Sequence, residues 1–410
     1  MNAPQSSSPL PAAFDHQDEV FADAFSILKE AITERAFPAA SIAVTHRGRL
    51  VVLKALGHFI YDDEITKDEI AARAPSFASF AKEPALSLSK EPALSLSKGG
   101  SDAVNPATLF DLASLTKVVA TTPMAMLLYE RGLLDLDAPV SAIVPEFTTD
   151  AAKDPRRHDV TLRMLLAHSS GLPAYEKLFL KASTRAELLQ DAVTTPLAAD
   201  PANRAEYSDI GFIILGIALE RLSDESLNGF CQREIFAPLA MTNTTFNPSP
   251  EIRAQIPPTE NDQTFRTRII QGEVQDENAS ILGGVAAHAG LFSTAEDVAK
   301  FADAMLNSGR PILRRDTVSL FTRRESVPIA TSRALGWDTP SSPSQSGKYL
   351  SPQSFGHLGY TGTSLWIDPV RQLSITLLTN RTWPDCSNHT IKKVRPMFHD
   401  AVVEALEKPA

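Results

Sequence analysis

Residues 16–35 carry apolar side chains at Val20, Phe21, Ala24, Phe25, Leu28, Ala31 and Ile32. Steps of three and four place these on one face, so the spacing predicts one amphipathic helix. The period then changes. "SIAVTHRGRLVVLKALG" has two β-rich runs around a turn at His46–Arg49, which reads as a hairpin. From 106 to about 250 the apolar positions mostly return to helical spacing, broken by the turns "ERGLLDLDAPV" and "HSSGLP". In "SILGGVAAHAGLFSTAEDVAKFADAML", Ser293 and Glu296 have capping-box spacing ahead of an apolar-periodic helix. Near the end, "SLWIDPVRQLSITLLTN" predicts a second hairpin. A last helix is expected to open near Pro396 and to turn Phe398, Val402 and Leu406 inward.

Residues 62–105 break the pattern. "EPALSLSK" occurs at 83–90 and again at 91–98, a tandem copy too short for a solenoid repeat, which needs units of about 20 residues or more. This stretch reads as a surface insertion with no part in the chemistry. Strands thus sit at both ends of the chain and helices in its middle. One sheet built from 1–105 and 275–410, with a mainly helical unit at 106–274, accounts for that order as an α+β fold.

Composition narrows the function classes. The chain has 410 residues, 43% of them apolar, and a net charge of −10 spread without blocks of one sign. That charge argues against a nucleic-acid partner. No run approaches the roughly 18 uninterrupted apolar residues of a membrane span. Residues 1–20 have neither the basic nor the apolar region of a secretory signal, so a cytoplasmic location is expected, with the periplasm as the alternative. Cys231 and Cys386, the only cysteines, are too few and too far apart for a disulfide framework or a metal-type pair.

The candidate chemistry starts from S-x-x-K, which matches at Ser26–Lys29, Ser87–Lys90, Ser95–Lys98 and Ser114–Lys117. Only the fourth has apolar neighbours that would bury it: Val118, Val119, Met124, Met126, Leu127 and Leu128. Residues three apart on a helix share a face, so the Lys117 amine can approach the Ser114 hydroxyl. Burial disfavours the ammonium form and would make the amine a base. The alternative is an N-cap serine with a lysine reaching solvent along its stem. A serine hydroxyl needs a neighbouring base to attack a carbonyl. Tyr207, just ahead of the apolar run "DIGFIILG", supplies a further group that the lysine could help to ionise. Tyr61 heads a similar Y-x-D without an apolar segment behind it. In "GHLGYTGTSLWIDP", Gly359 and Gly362 point to close backbone approach in a strand-like context, and His357 adds a titratable ring.

At these residues the sequence resembles the serine hydrolases related to class C β-lactamases and penicillin-binding D,D-peptidases. The resemblance runs from about Phe37 to Leu406, apart from the insertion. It rests on five blocks in the family's order: "FDLASLTK", "VTLRMLLAHSSGLP", "YSDIGFIILG", "GGVAAHAGLFSTA" and "HLGYTGTSLWIDP". It implies a β-lactamase/transpeptidase-like fold, with an antiparallel sheet, flanking helices and the site between sheet and helical region. It makes Ser114 the acylated nucleophile, Lys117 its helix partner and Tyr207 the tyrosine of the Y-x-N motif. His357, Leu358 and Gly359 fall on the K-T-G strand motif, and the amides of Ser114 and Tyr360 on the oxyanion hole.

Two positions depart from the family. Asp209 replaces the usual asparagine, and an ionised carboxylate can only accept hydrogen bonds. It could pair with Lys117, hold it charged and leave Tyr207 as the base. His357 replaces the β-lactamase lysine and, neutral at pH 7, is a poorer partner for a β-lactam carboxylate. Both changes favour an ester or peptide-like amide over a β-lactam. The expected activity is therefore a serine hydrolase acting through an acyl-enzyme, esterase or peptidase-like. The alternatives are a class C-like β-lactamase and a penicillin-binding protein or scaffold that acylates, or merely binds, without turnover. His168 reads as structural, in a block where Gly171 and Pro173 end a helix. His288 also reads as structural, though its small neighbours imply tight packing near a site. No G-x-S-x-G, H-E-x-x-H or G-x-x-x-x-G-K-[ST] motif is present, and no metal or organic cofactor is called for.

Overall fold

Arg47 and Gly48 both hold positive φ, 51° and 72°, and turn β1 (Ala39–His46) into β2 (Arg49–Gly57). Two such residues match the right-handed twist of paired strands, so the hairpin closes where the sequence placed it. The structure, a computed structural model, describes residues 10–61, 103–149 and 153–408. The tandem repeat at 83–98 lies outside them. The end of the expected insertion, however, belongs to the fold: Ala103 bridges His58, and Val104 is buried with its amide on Gly57 O.

Short strands follow in the middle of the chain: β3 (Phe110–Asp111), β4 (Thr245–Phe246), β5 (Pro258–Asp262), β6 (Arg268–Gln271) and β7 (Leu291–Ser293). The last three are β8 (Phe355–Leu358), β9 (Ser364–Asp368) and β10 (Leu373–Thr379). The main sheet has the order β2-β1-β10-β9-β8 with every pair antiparallel, so its centre joins the two ends of the chain. β10 is buried along its whole length. Its alternate residues Leu373, Ile375 and Leu377 face one core, which also holds Ile42, Val44 and Trp366. Leu365, Ile367 and Leu378 face the other, which continues into the helical part of the molecule. The period of two along a strand thus divides the apolar side chains between the two faces.

Helices cover both faces. α1 (Ala22–Thr33) buries Ala24, Phe25, Leu28 and Ala31 in the first core. The single helix expected over 16–35 is broken: a short turn, Gln17–Val20, precedes α1, and Val20 is 45% exposed. α2 (Thr122–Glu130) and α3 (Asp209–Ser223) lie in the larger core. α4 (Ala295–Leu306) packs on β1, β9 and β10. Its cap is Thr294, whose side chain accepts from Asp297 N, rather than the expected Ser293, which ends β7. The cap sits one residue later because Ser293 is already held in the strand pair with Phe110.

α5 (Ile391–Glu407) opens five residues before Pro396 instead of at it. Proline lacks the N–H that would bond the carbonyl four residues back. That carbonyl, Lys392 O, accepts from the Gln345 side-chain amide at 2.9 Å, so the helix passes through the proline without an orphaned group. Phe398 and Val402 are buried as expected, while Leu406 is only partly buried.

Gly362 carries φ +98°, and a Cβ there would lie 1.9 Å from Thr379 Oγ1. That hydroxyl is buried and bonded to Thr361 O, so it cannot swing away. Gly48 has a positive φ but open space around it. Gly48→Ala is expected to cost about 1 kcal/mol from backbone conformation alone, and Gly362→Ala substantially more. Urea unfolding midpoints of the two variants check this; equal midpoints would contradict it.

Candidate active site

The segment carrying Ser114 is fixed before it turns. β3 pairs with β7, Leu112 N donates to Leu291 O, and Ala113 N donates to Asp111 Oδ1 at 2.8 Å. The other Asp111 oxygen accepts from Gln275 N at 2.7 Å. Ala113 is then driven to φ 47°, a left-handed conformation that is costly for alanine and turns the chain sharply at the serine. Ser114 lies in a short 3-10 turn, Ala113–Leu115. A wide π-type turn, Lys117–Thr121, leads into α2. Such widened turns recur at functional positions. Here Thr121 Oγ1 donates to Ala287 O, and Thr116 Oγ1 accepts from Leu291 N.

Lys117 is fully buried, and its amine meets three oxygens: Asp209 Oδ1 at 2.7 Å, His288 O at 2.8 Å and Ser114 Oγ at 3.0 Å. Tyr207 OH lies 2.6 Å from Ser114 Oγ and 3.0 Å from Asp209 Oδ1. Ser114, Lys117, Tyr207 and Asp209 thus form one hydrogen-bonded cluster, assembled from segments far apart in the chain. Asp209 opens α3, where its carboxylate complements the helix N-terminus, and Ser208 caps that helix by accepting from Gly211 N.

The "HSSGLP" block and the residue after it anchor the segment before α3. His168 O accepts from Glu206 N, His168 Nδ1 from Ser208 N at 3.0 Å, and Ala174 O from Asp209 N. The His168 ring lies 4.8 Å from the Tyr207 ring. His168 thus bonds the segment that carries Tyr207 and Asp209. The helix before it nonetheless ends at Leu166, with His168 itself at φ 55°. Gly171 comes later, where a Cβ would strike Ala199 O.

The segment "GHLGYTGT" packs against the chain that carries Ser114. Gly359 lies just past β8, in the turn to β9, rather than in a strand: its amide donates to Thr363 O and its carbonyl accepts from Gly362 N. Thr361 Oγ1 donates to Asp111 O and Thr363 Oγ1 to Leu112 O, which seats the turn against the chain leading to Ser114. A Cβ on Gly359 would lie 2.6 Å from Leu112 O, the close approach the glycine permits. Beside these elements opens a cavity of about 730 Å³, lined by Ser114, Tyr207, Asp209, His357, Gly359 and Tyr360 among others. The Tyr360 side chain is 49% exposed, with Arg381 over its ring.

Burial sets the electrostatics. It holds the Lys117 amine below the ordinary lysine value, and Asp209, which pulls the other way, is outweighed. Burial and the Asp209 carboxylate hold the Tyr207 phenol well above its usual value. The lysine therefore does not ease ionisation of Tyr207, contrary to the sequence expectation. Burial also keeps His168 and His357 well below the usual histidine value.

Three contributors escaped sequence reasoning: Asp276, Thr361 and Thr363. Burial alone would raise the Asp276 carboxyl, but the His288 ring and the Ala279 amide hold it down. Its Oδ1 lies 2.9 Å from His288 Nε2, which fixes the residue whose carbonyl binds Lys117. The capping pattern D-x-x-A at 276–279 could have signalled a helix start there, but nothing local connects it to Lys117. Of the other S-x-x-K pairs, Ser26 bonds Glu30 on the exposed face of α1, and the pairs at 87–90 and 95–98 lie outside the described residues. Tyr61 donates to Arg35 O, away from this cluster. Among the described residues no three His, Cys, Asp or Glu side chains are grouped to hold a metal ion.

A model of the family described as Beta-lactamase matches residues 24–391. The chain belongs to the beta-lactamase family. A putative D-alanyl-D-alanine carboxypeptidase of Escherichia coli K12 is 35% identical over 306 residues, 67% of this chain and 69% of that protein. An N-acetylmuramyl-L-alanine amidase of Bacillus subtilis is 34% identical over 305 residues, 67% of this chain and 68% of the other. Solved structures share the fold. EstCE1, described as a hydrolase with promiscuous acyltransferase activity, superposes with TM-score 0.69 at 18% identity, over 94% of this chain and 99% of that one. The octameric penicillin-binding protein homologue of Pyrococcus abyssi gives 0.66 at 20% identity, over 93% and 77%. The chain is thus a hydrolase of the serine beta-lactamase fold, as its five sequence blocks implied.

Removing the Asp209 charge takes away the main group opposing the loss of a proton from Lys117. The acid limb of kcat/KM for an ester is therefore expected to lie below the usual lysine value of about 10.5 and to move lower still in Asp209→Asn. A pH–rate profile checks it; movement of that limb to higher pH would contradict it.

Proposed function

We propose that this beta-lactamase-family hydrolase cleaves small esters or peptide-like amides through an acyl-enzyme on Ser114, with the neutral amine of Lys117 as base. The observation that carries this reading is the set of partners around Lys117. Asp209 Oδ1 and His288 O can only accept, so the two N–H groups of a neutral amine serve them. The third contact, with Ser114 Oγ at 3.0 Å, is the one across which the lone pair of the neutral amine would take the hydroxyl proton.

Ser114 Oγ attacks the carbonyl carbon as its proton passes to Lys117 Nζ, and the carbonyl oxygen gains the negative charge. The amides of Ser114 and Tyr360, beside the cavity, receive that oxyanion. A single such donor is worth roughly a hundredfold to a thousandfold in rate. As the intermediate collapses, the bond to the leaving group breaks and Tyr207 OH gives that group its proton. Asp209 Oδ1 touches both Lys117 and Tyr207, which provides the path by which the phenol regains a proton. Water then attacks the acyl–Ser114 ester by the same steps in reverse, releasing the acid.

The carboxypeptidase and amidase names of the relatives support amide substrates, and the cavity beside Ser114 has room for one. Asp209 and His357 support ester or amide over β-lactam, since neither offers a cation to a β-lactam carboxylate. Among the described residues no helix is long and apolar enough to cross a membrane.

A short-chain nitrophenyl ester is expected to turn over in the wild type and to fall at least a thousandfold in Ser114→Ala, with little cleavage of a chromogenic cephalosporin. Asp209→Asn and His357→Lys are each expected to raise cephalosporin turnover. Full ester activity in Ser114→Ala overturns the nucleophile. Cephalosporin as the better wild-type substrate makes the protein a β-lactamase. Stoichiometric labelling without turnover supports a binding protein.

A further inference from the structure

His357 lies in β8 and is 3% exposed. Its Nδ1 is 2.7 Å from Leu358 O. A carbonyl oxygen only accepts, so Nδ1 carries the ring proton, and in the neutral ring Nε2 holds a lone pair. The neutral form fits the surroundings, since burial disfavours charge and Arg333 and Arg395 bring positive charge nearby. Nε2 itself is buried and has no partner among the described residues. Yet His357 lines the same cavity as Ser114 and Tyr207, and its ring lies 5.9 Å from that of Tyr207. An unpaired buried acceptor is costly, and a bound group that supplies a donor removes the cost.

We propose that His357 Nε2 is an acceptor subsite for the departing group, selecting esters and amides whose leaving group carries an O–H or N–H donor over those carrying a carboxylate there. The assignment to the departing side rests on the reading above, in which the adjacent Tyr207 protonates that group. A carboxylate at this position would set its lone pairs against the imidazole lone pair. An ether would leave Nε2 unpaired. A hydroxyl or amide N–H satisfies it.

Three esters of one acyl group test this: 2-hydroxyethyl, 2-methoxyethyl and carboxymethyl. In the wild type, kcat/KM for the hydroxyethyl ester is expected to exceed that for the methoxyethyl ester by roughly fivefold to tenfold, with the carboxymethyl ester slowest. His357→Leu, which removes the acceptor, is expected to bring the first ratio close to one. His357→Lys is expected to raise the carboxymethyl ester relative to the other two. Equal wild-type values for the hydroxyethyl and methoxyethyl esters overturn the subsite without recourse to any variant. So does fastest cleavage of the carboxymethyl ester, or cleavage of a nitrophenyl ester with none of the hydroxyethyl ester. Ester cleavage that survives in Ser114→Ala would instead overturn the nucleophile reading on which the subsite rests.

Discussion

The site depends on a lysine amine held wholly out of water. A charged amine moved into a protein interior carries a desolvation penalty of several kcal/mol, and a nearby carboxylate offsets it only in part. Lys117 meets that condition with one carboxylate, one backbone carbonyl and one hydroxyl, all within 3.0 Å. A neutral amine is satisfied by the same three groups with its lone pair turned to the serine. On the proposed reading the arrangement holds Lys117 ready as the base, and the elements around it set the positions of those oxygens. α3 presents Asp209 at its first turn. The Asp276–His288 pair holds the carbonyl. The strained turn at Ala113 presents the hydroxyl.

The fold's class was legible because its periods are long and clean. The β-rich runs at 39–57 and 364–379 form four of the five strands of the main sheet, and the stepped apolar residues of α1 and α4 form helices on its faces. Boundaries were less legible. Val20 fits the helical spacing but falls in a short turn ahead of α1. Pro396 marks a helix start in isolation, yet α5 runs through it because Gln345, about 50 residues earlier, takes the freed carbonyl. A long-range partner of that kind leaves no trace in the local pattern.

Ser114, Lys117 and Tyr207 stood out because a polar residue set in an apolar run needs a reason. Asp209 was singled out only as a departure, and its contact with Lys117 was one of two open possibilities. Protonation states were the least legible. Tyr207 beside a lysine reads as an easily ionised phenol, but burial and the Asp209 carboxylate reverse that effect. Thr361 and Thr363 were invisible for a different reason: they bond carbonyls about 250 positions away, so only the folded chain shows that "GYTGT" is a clamp on the serine segment.

The account turns on a neutral Lys117 in the resting protein, and that can be observed without substrate. Lysine labelled with carbon-13 at Cε, followed by NMR between pH 6 and 10 and assigned with Lys117→Arg, reports the charge of each amine. The account predicts one resonance, absent from the variant, that already sits at the neutral-amine position near pH 7.5 while the other lysines titrate near their ordinary value. A Lys117 resonance that titrates with the rest would contradict it, and the base would have to be sought elsewhere.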